Sequence, residues 1–160
     1  MNSADNKVYS TKAIEVLTDW MDTKLRIPGT SIRFGLDAIL SLIPGVGDVV
    51  STGINLGIFG MILGKGVPFG TAIKMMGNII FDFIISSVPI IGTFFDIGFK
   101  SNVKNLNLLQ KHLNNNPTGK YYKGIWMVFG LTAVILLLLI IGLFWLLAKG
   151  LNSIQLPIIG

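Results

Sequence analysis

An unbroken run of 24 uncharged residues, 125–148, constrains this chain more than any other feature. As a helix it rises about 36 Å, at roughly 1.5 Å per residue, and a bilayer core is about 30 Å thick. Lys120 and Lys123 precede the run, Lys149 follows it, and Trp126 and Trp145 lie near its ends. Cations and amphipathic rings flanking an apolar segment suit the two headgroup layers. The run reads as a transmembrane helix, entered by a linker (114–124) and followed by a tail (149–160).

The rest of the chain is also poor in charge. Hydrophobic residues make up 51% of the sequence and charged residues 13%, roughly half the charged share of an ordinary soluble protein. A small soluble domain cannot hide that much apolar surface, whereas lipid can. The expected fold class is an all-α membrane protein.

The net charge of +5 invites a nucleic-acid partner, but its distribution argues against one. Residues 1–33 carry five Lys/Arg against four Asp/Glu, and residues 34–99 carry two against four. The surplus is one cluster, Lys100, Lys104, Lys111, Lys120 and Lys123, with no acid among residues 100–123. No stacking aromatics or groove-reading motif accompany it. A basic cluster just before a span fits the positive-inside bias and contact with anionic lipid headgroups. Residues 1–10 lack a basic-then-apolar run and a small-residue cleavage site, so the N-terminus is expected in the cytoplasm and the C-terminus outside.

Along the chain, residues 1–31 hold an amphipathic helix (12–25) and a turn. Ile14, Leu17, Trp20, Met21 and Leu25 share one face of that helix. Pro28-Gly29-Thr30-Ser31 is a turn followed by an N-cap, so a second helix is expected over 32–43. Pro44-Gly45-Val46-Gly47-Asp48 breaks it, because proline removes a backbone donor and glycine relaxes helical preference. Asp48 is placed to cap a further helix, 49–63. Another helix is expected over 71–88, interrupted by Pro89-Ile90-Ile91-Gly92-Thr93 and resuming near Phe94. It turns polar at Lys100, with Val103, Leu106, Leu109 and Leu113 forming one stripe up to residue 113.

Two segments correspond at a constant offset of 45 residues: FGLDAILSLIPGVGDVVSTG (34–53) and IIFDFIISSVPIIGTFFDIG (79–98). Asp37 pairs with Asp82, Ser41 with Ser86, Pro44 with Pro89, Gly47 with Gly92 and Gly53 with Gly98. The membrane domain (32–113) thus reads as two broken-helix repeats, 32–64 and 71–99, with a cytoplasmic helix over 100–113. Each repeat is either a re-entrant hairpin or one kinked span, and the hairpin is favoured. The two differ at Gly66, which lies inside for hairpins and outside for spans. Broken backbone at membrane depth must be buried in protein or face water. Self-association is therefore expected, and the glycines of Gly53-x-x-x-Gly57 and Gly60-x-x-x-Gly64 are spaced for helix contact in lipid.

The run RIPGTSIRFGLDAILSLIPGVGDVV (26–50), with Arg33-Phe34-Gly35-Leu36-Asp37 and Ile43-Pro44-Gly45-Val46-Gly47-Asp48, resembles a bacterial family known as domain of unknown function 4112. Asp96, Lys100-Ser101-Asn102 and Asn105-Leu106 extend the likeness, which covers about residues 24–113. The second unit departs from the first, with Thr93 where the first has Asp48. The resemblance implies a membrane context, placed here in the bacterial inner membrane, but no reaction.

Candidate sites follow from cost. Asp37 and Asp82 sit inside apolar helices, and an ionisable residue at membrane depth needs a partner or water. Arg33, one helical turn before Asp37, offers a local ion pair, and Asn78 holds the same position before Asp82. Asp48 suits helix capping, and Asp96 a pair with Lys100. There is no cysteine and one histidine, His112, so no metal or cofactor is expected and no nucleophile–base set is visible. An enzyme is the least supported class. A homo-oligomeric ion or proton channel or transporter, lined by Asp37 and Asp82, and a non-catalytic membrane scaffold that shapes the bilayer or holds an unidentified protein partner both remain open.

Overall fold

The computed structural model describes the backbone of residues 3–43, 45–88, 95, 97–115 and 125–153, and within these the side chains from 11 to 150. The described chain is mostly helical: α1 (Ser3–Asp22), α2 (Leu36–Leu40), α3 (Val46–Leu63), α4 (Phe69–Ser86), α5 (Ser101–Asn115) and α6 (Ile125–Ser153). Two short strands, β1 (Leu25–Arg26) and β2 (Arg33–Phe34), pair antiparallel, with Leu25 opposite Phe34. α3, α4 and α6 are long and apolar enough to cross a membrane.

The first broken helix is shorter than its sequence suggests. Instead of a helix over 32–43, Arg33 and Phe34 are drawn into the ladder with β1, and α2 keeps only Leu36–Leu40. Gly35 lies between them, extended and buried, where a Cβ would strike the Met21 carbonyl at the end of α1. Arg33 is consequently an exposed strand residue, not a helical neighbour of Asp37.

α3 begins at Val46, earlier than the expected 49, because Gly45 serves as N-cap at φ +80. That left-handed conformation costs glycine nothing. Asp48 still caps the helix, but from within its first turn: its Oδ2 accepts the Gly45 N–H at 3.1 Å. Gly47 answers a separate demand, since a Cβ there would meet the Leu40 carbonyl where α2 runs against the start of α3.

α4 starts and ends two residues before the expected 71–88. Lys100, at φ +29, stands outside α5, so the polar helix is a separate element running from Ser101 to Asn115. Pro44, the whole second break including Pro89 and Gly92, Asp96, Lys120, Lys123, most of the linker and the tail from residue 154 lie outside the described residues.

The core draws on five helices: Ile14 and Met21 from α1, Phe59 and Ile62 from α3, Met75 and Ile79 from α4, Leu109 from α5, and Val128 and Leu136 from α6. α6 packs on α3 and α4, while α1 and α5 pack on each other and on the same hairpin. α6 runs antiparallel to α3. A Cβ at Gly60 would sit 3.1 Å from the Phe129 ring, and one at Gly45 would sit 3.7 Å from Phe144. The α3–α4 turn therefore stands beside the start of α6, and the break before α3 beside its far end.

Two expected faces are corrected. On α1 the buried positions are Ile14, Thr18, Met21 and Asp22, while Leu17 and Trp20 are 38% and 46% exposed. On α5 the buried positions are Ser101, Asn102, Asn105, Leu109 and His112, where the apolar stripe pointed to Val103, Leu106 and Leu113. Hydrogen bonds between the helices draw Asp22 of α1 and Ser101, Asn102 and Asn105 of α5 inward. Of the spaced glycines, Gly60 packs on Phe129, whereas a Cβ at Gly53 or Gly57 would meet open space.

Candidate functional site: a buried polar seam

Asn55 lies midway along α3, and Asn78 and Asp82 lie one turn apart on α4. Helical spacing brings all three to positions that α5 can reach. The Ser101 hydroxyl donates to Asp82 Oδ2 at 2.9 Å. Asn102 Nδ2 donates to Asn55 Oδ1 at 2.8 Å and to Asp22 Oδ1 at 2.8 Å. The Val103 N–H donates to the other Asp22 oxygen at 2.8 Å. Lower on the same face, Asn78 Nδ2 donates to Asn105 Oδ1 at 2.8 Å, and Asn105 Nδ2 donates to the Met75 carbonyl at 3.3 Å.

Asn102 is the junction of this seam. It is 1% exposed, and its amide carries two hydrogens, each with an acceptor on a different helix. One side chain thus ties α1, α3 and α5 together. Burial pushes the Asp22 carboxyl above its ordinary range, and the Asn102 amide and Val103 N–H pull it back in part. On the exposed side of α1 the Thr23 hydroxyl holds Asp19 below that range, helped by Lys24 at 3.5 Å. Burial lowers the Lys65 ammonium in the α3–α4 turn.

At the other end of the hairpin the Ser51 hydroxyl donates to Asp37 Oδ1. Ser51, Asp48, Thr52 and Asn55 of α3 then face Ile79, Asp82, Phe83 and Ser86 of α4, with Ser41 closing one side. Between them is a cavity of about 10 Å³, room for a single water. The seam and the cavity share Asn55 and Asp82.

The structure thus brings together much of what the sequence singled out. Asp82 and Asp48 line the cavity, and Asp37 is one hydroxyl away. Asn78 is half-buried in the seam rather than beside the cavity, and Arg33 is at the surface. Lys104 lies over the Phe99 ring, 3.1 Å from its centre, and Lys111 is exposed. Asp22, Ser51, Thr52 and Asn55 escaped the sequence reading, and Ser101, Asn102 and Asn105 entered it only as words of a resemblance. The spacing of 102, 105, 109 and 112 carries the signal, a helical stripe half polar and half apolar. His112 is buried on that stripe, and its Nε2 has no hydrogen-bond partner among the described residues. Among those residues no three His, Asp or Glu side chains gather as a metal set.

No curated protein and no solved structure matches this chain. The family described as Domain of unknown function (DUF4112) matches residues 10–113, taking in most of α1 as well as the segment from residue 24. The matched region holds every residue of the seam and the cavity, and ends before α6. The chain belongs to the DUF4112 family.

Proposed function

We propose that this chain is a self-associating inner-membrane protein that passes protons by way of its buried carboxylates, Asp37, Asp48 and Asp82. The observation that carries this is the cavity of about 10 Å³ walled by two carboxylates and the hydroxyls of Ser41, Ser51, Thr52 and Ser86. A space of that size takes one water and no hydrated cation. Carboxylates and hydroxyls around a trapped water exchange protons, so transport of protons rather than catalysis is the role assigned.

In this placement α6 crosses the bilayer from the cytoplasmic side. The two repeats enter as hairpins, with Asp37 and Asp82 at equivalent places on their arms. The position of the α3–α4 turn beside the start of α6 supports that arrangement. α5 runs from Ser101 beside Asp82 down past Asn105 beside Met75, so Lys111 near its foot then meets anionic headgroups on the cytoplasmic face. A labelling site is available in the turn: Lys65→Cys, next to Gly66, whose φ of +77 makes Gly66 itself a poor position for a side chain. The chain has no other cysteine. A membrane-impermeant thiol reagent is expected to modify Lys65→Cys in inverted vesicles and not in intact cells. Modification from outside would make each repeat a span.

The functional test is proton uptake into liposomes holding the purified protein, read by an entrapped pH dye. The Asp37→Asn/Asp82→Asn variant is expected to lose about tenfold or more of the flux, since neutral amides cannot take up the proton. A second reading, a bilayer-shaping scaffold, draws support from the Ser101–Asp82 and Ser51–Asp37 hydrogen bonds, which satisfy both acids as structural groups would be satisfied. Wild-type liposomes without flux under any gradient or voltage, with the fold intact, would establish the scaffold over the pathway.

A further inference from the structure

Asp48, Thr52 and Asn55 follow one another at helical spacing on α3, so one face of that helix turns all three toward the cavity they line. They are 6%, 6% and 3% exposed. Their hydrogen-bonding capacity is only partly used. Asp48 Oδ2 accepts the Gly45 N–H and Asn55 Oδ1 accepts from Asn102 Nδ2. Asp48 Oδ1, the Thr52 hydroxyl and Asn55 Nδ2 have no partner among the described residues. Nor are these three atoms sealed within the protein, as Thr18 Oγ1 and His112 Nε2 are. They open onto the cavity. The direction of the Asn55 amide is fixed from the other side. Asp22, as a carboxylate, can only accept, so Asn102 turns its NH2 group toward it. The second hydrogen of that group then requires the oxygen of Asn55, at 2.8 Å. Asn55 is left presenting its own NH2 group to the cavity.

We propose that this face of α3 is a built site for one neutral water, and that Asn55 is the residue that keeps bare alkali cations out of it. A water there accepts from Asn55 Nδ2, donates to Asp48 Oδ1 and has the Thr52 hydroxyl as a further partner, within the usual two to four. Its second hydrogen is left for the Asp82 carboxylate, which lines the same cavity. Such a water passes a proton without being consumed. It takes one from a protonated Asp48 while giving one of its own to Asp82, and is a neutral water again. A hard cation takes oxygen ligands. Asp48, Asp82 and the hydroxyls would supply them, but the Asn55 N–H groups would turn the positive ends of their dipoles on the ion. The Asp22–Asn102–Asn55 chain is thus what sets the polarity of the site.

Proton passage through this water rests on the proton-pathway reading, whereas occupancy of the site does not, so the test reads occupancy and not flux. Purified protein is melted in sodium, lithium and choline chloride at equal concentration. Wild type is expected to melt within about 1 °C in all three. Asn55→Asp keeps the oxygen that accepts from Asn102 and exchanges only Nδ2 for a second oxygen. It is expected to melt about 5 °C higher in sodium than in choline chloride. In wild type isotope-labelled at asparagine nitrogen, the Asn55 side-chain N–H signals are expected to receive magnetisation from a long-lived water. Wild type stabilised by sodium or lithium over choline would make the cavity a cation site and overturn the proposal, whether or not the variant folds. Absence of transfer from water would overturn it too. A folded Asn55→Asp indifferent to all three salts would show that Asn55 does not select the occupant. Wild-type liposomes without proton flux, beside the expected melts and water signal, would sink the pathway while the water site stood.

Discussion

In thermal melts of purified protein, Gly47→Ala is expected to lose about 3 kcal/mol of stability. The alanine Cβ would run into the Leu40 carbonyl, and that carbonyl is held by the turn that ends α2, where the Ile43 N–H donates to it at 2.9 Å. Neither side of the contact is a flexible side-chain end, so relief requires α2 and α3 to separate. Separation would also pull Asp37 in α2 away from Ser51 in α3. Gly53→Ala is the control, about one and two-thirds turns along the same helix, with open space where its Cβ would go. It is expected to be neutral or to gain up to about 1 kcal/mol, the ordinary helix preference for alanine. Equal melting of the two variants would show that the close approach of α2 to α3 does not hold the break.

Asn102→Ala is expected to be the most damaging polar truncation in the chain. It strands the Asn55 carbonyl oxygen and one Asp22 oxygen, both buried, at about 1–3 kcal/mol for each group left without its partner. Asn102→Asp is expected to be worse at neutral pH, because a second carboxylate would then face Asp22 in place of a donor. Asn107→Ala, exposed on the same helix, serves as the reference and is expected to melt within about 0.5 kcal/mol of wild type. If Asn102→Ala melts with the reference, α5 is held by its apolar contacts through Leu109, and the seam is incidental to stability.

Periodicity and breakers made the main helices legible, because those signals are local. Residues 125–148 could only be a long apolar helix, and Lys65-Gly66-Val67-Pro68 could only interrupt one. The ends of elements were harder to read, and α2 shows why. Its first residues have ordinary helical character, yet Arg33 and Phe34 belong to a ladder with Leu25 and Arg26, and nothing in 32–43 itself announces that partner. The faces of α1 and α5 failed for a related reason. Hydrophobicity predicts which side of a helix leaves water, but Asp22 and Asn102 are buried against each other, and Asn105 against Asn78 and the Met75 carbonyl.

The candidate site divides along the same line. Asp37 and Asp82 stood out in sequence because a carboxylate in an apolar helix is costly wherever the helix goes. Asp48 stood out because capping is a local transaction between a side chain and nearby N–H groups. The partners of Asp82 and Asp22 sit on helices 19 and 80 residues away, as Ser101 and Asn102. No spacing rule links such positions, and only packing α5 across α1, α3 and α4 brings them within hydrogen-bond reach. Sequence by itself determined that this chain is helical, carries one membrane-length apolar run and is burdened with acids inside its other apolar helices. The tertiary structure alone decided which groups satisfy those acids, because a hydrogen bond between helices depends on their relative placement and not on either helix alone.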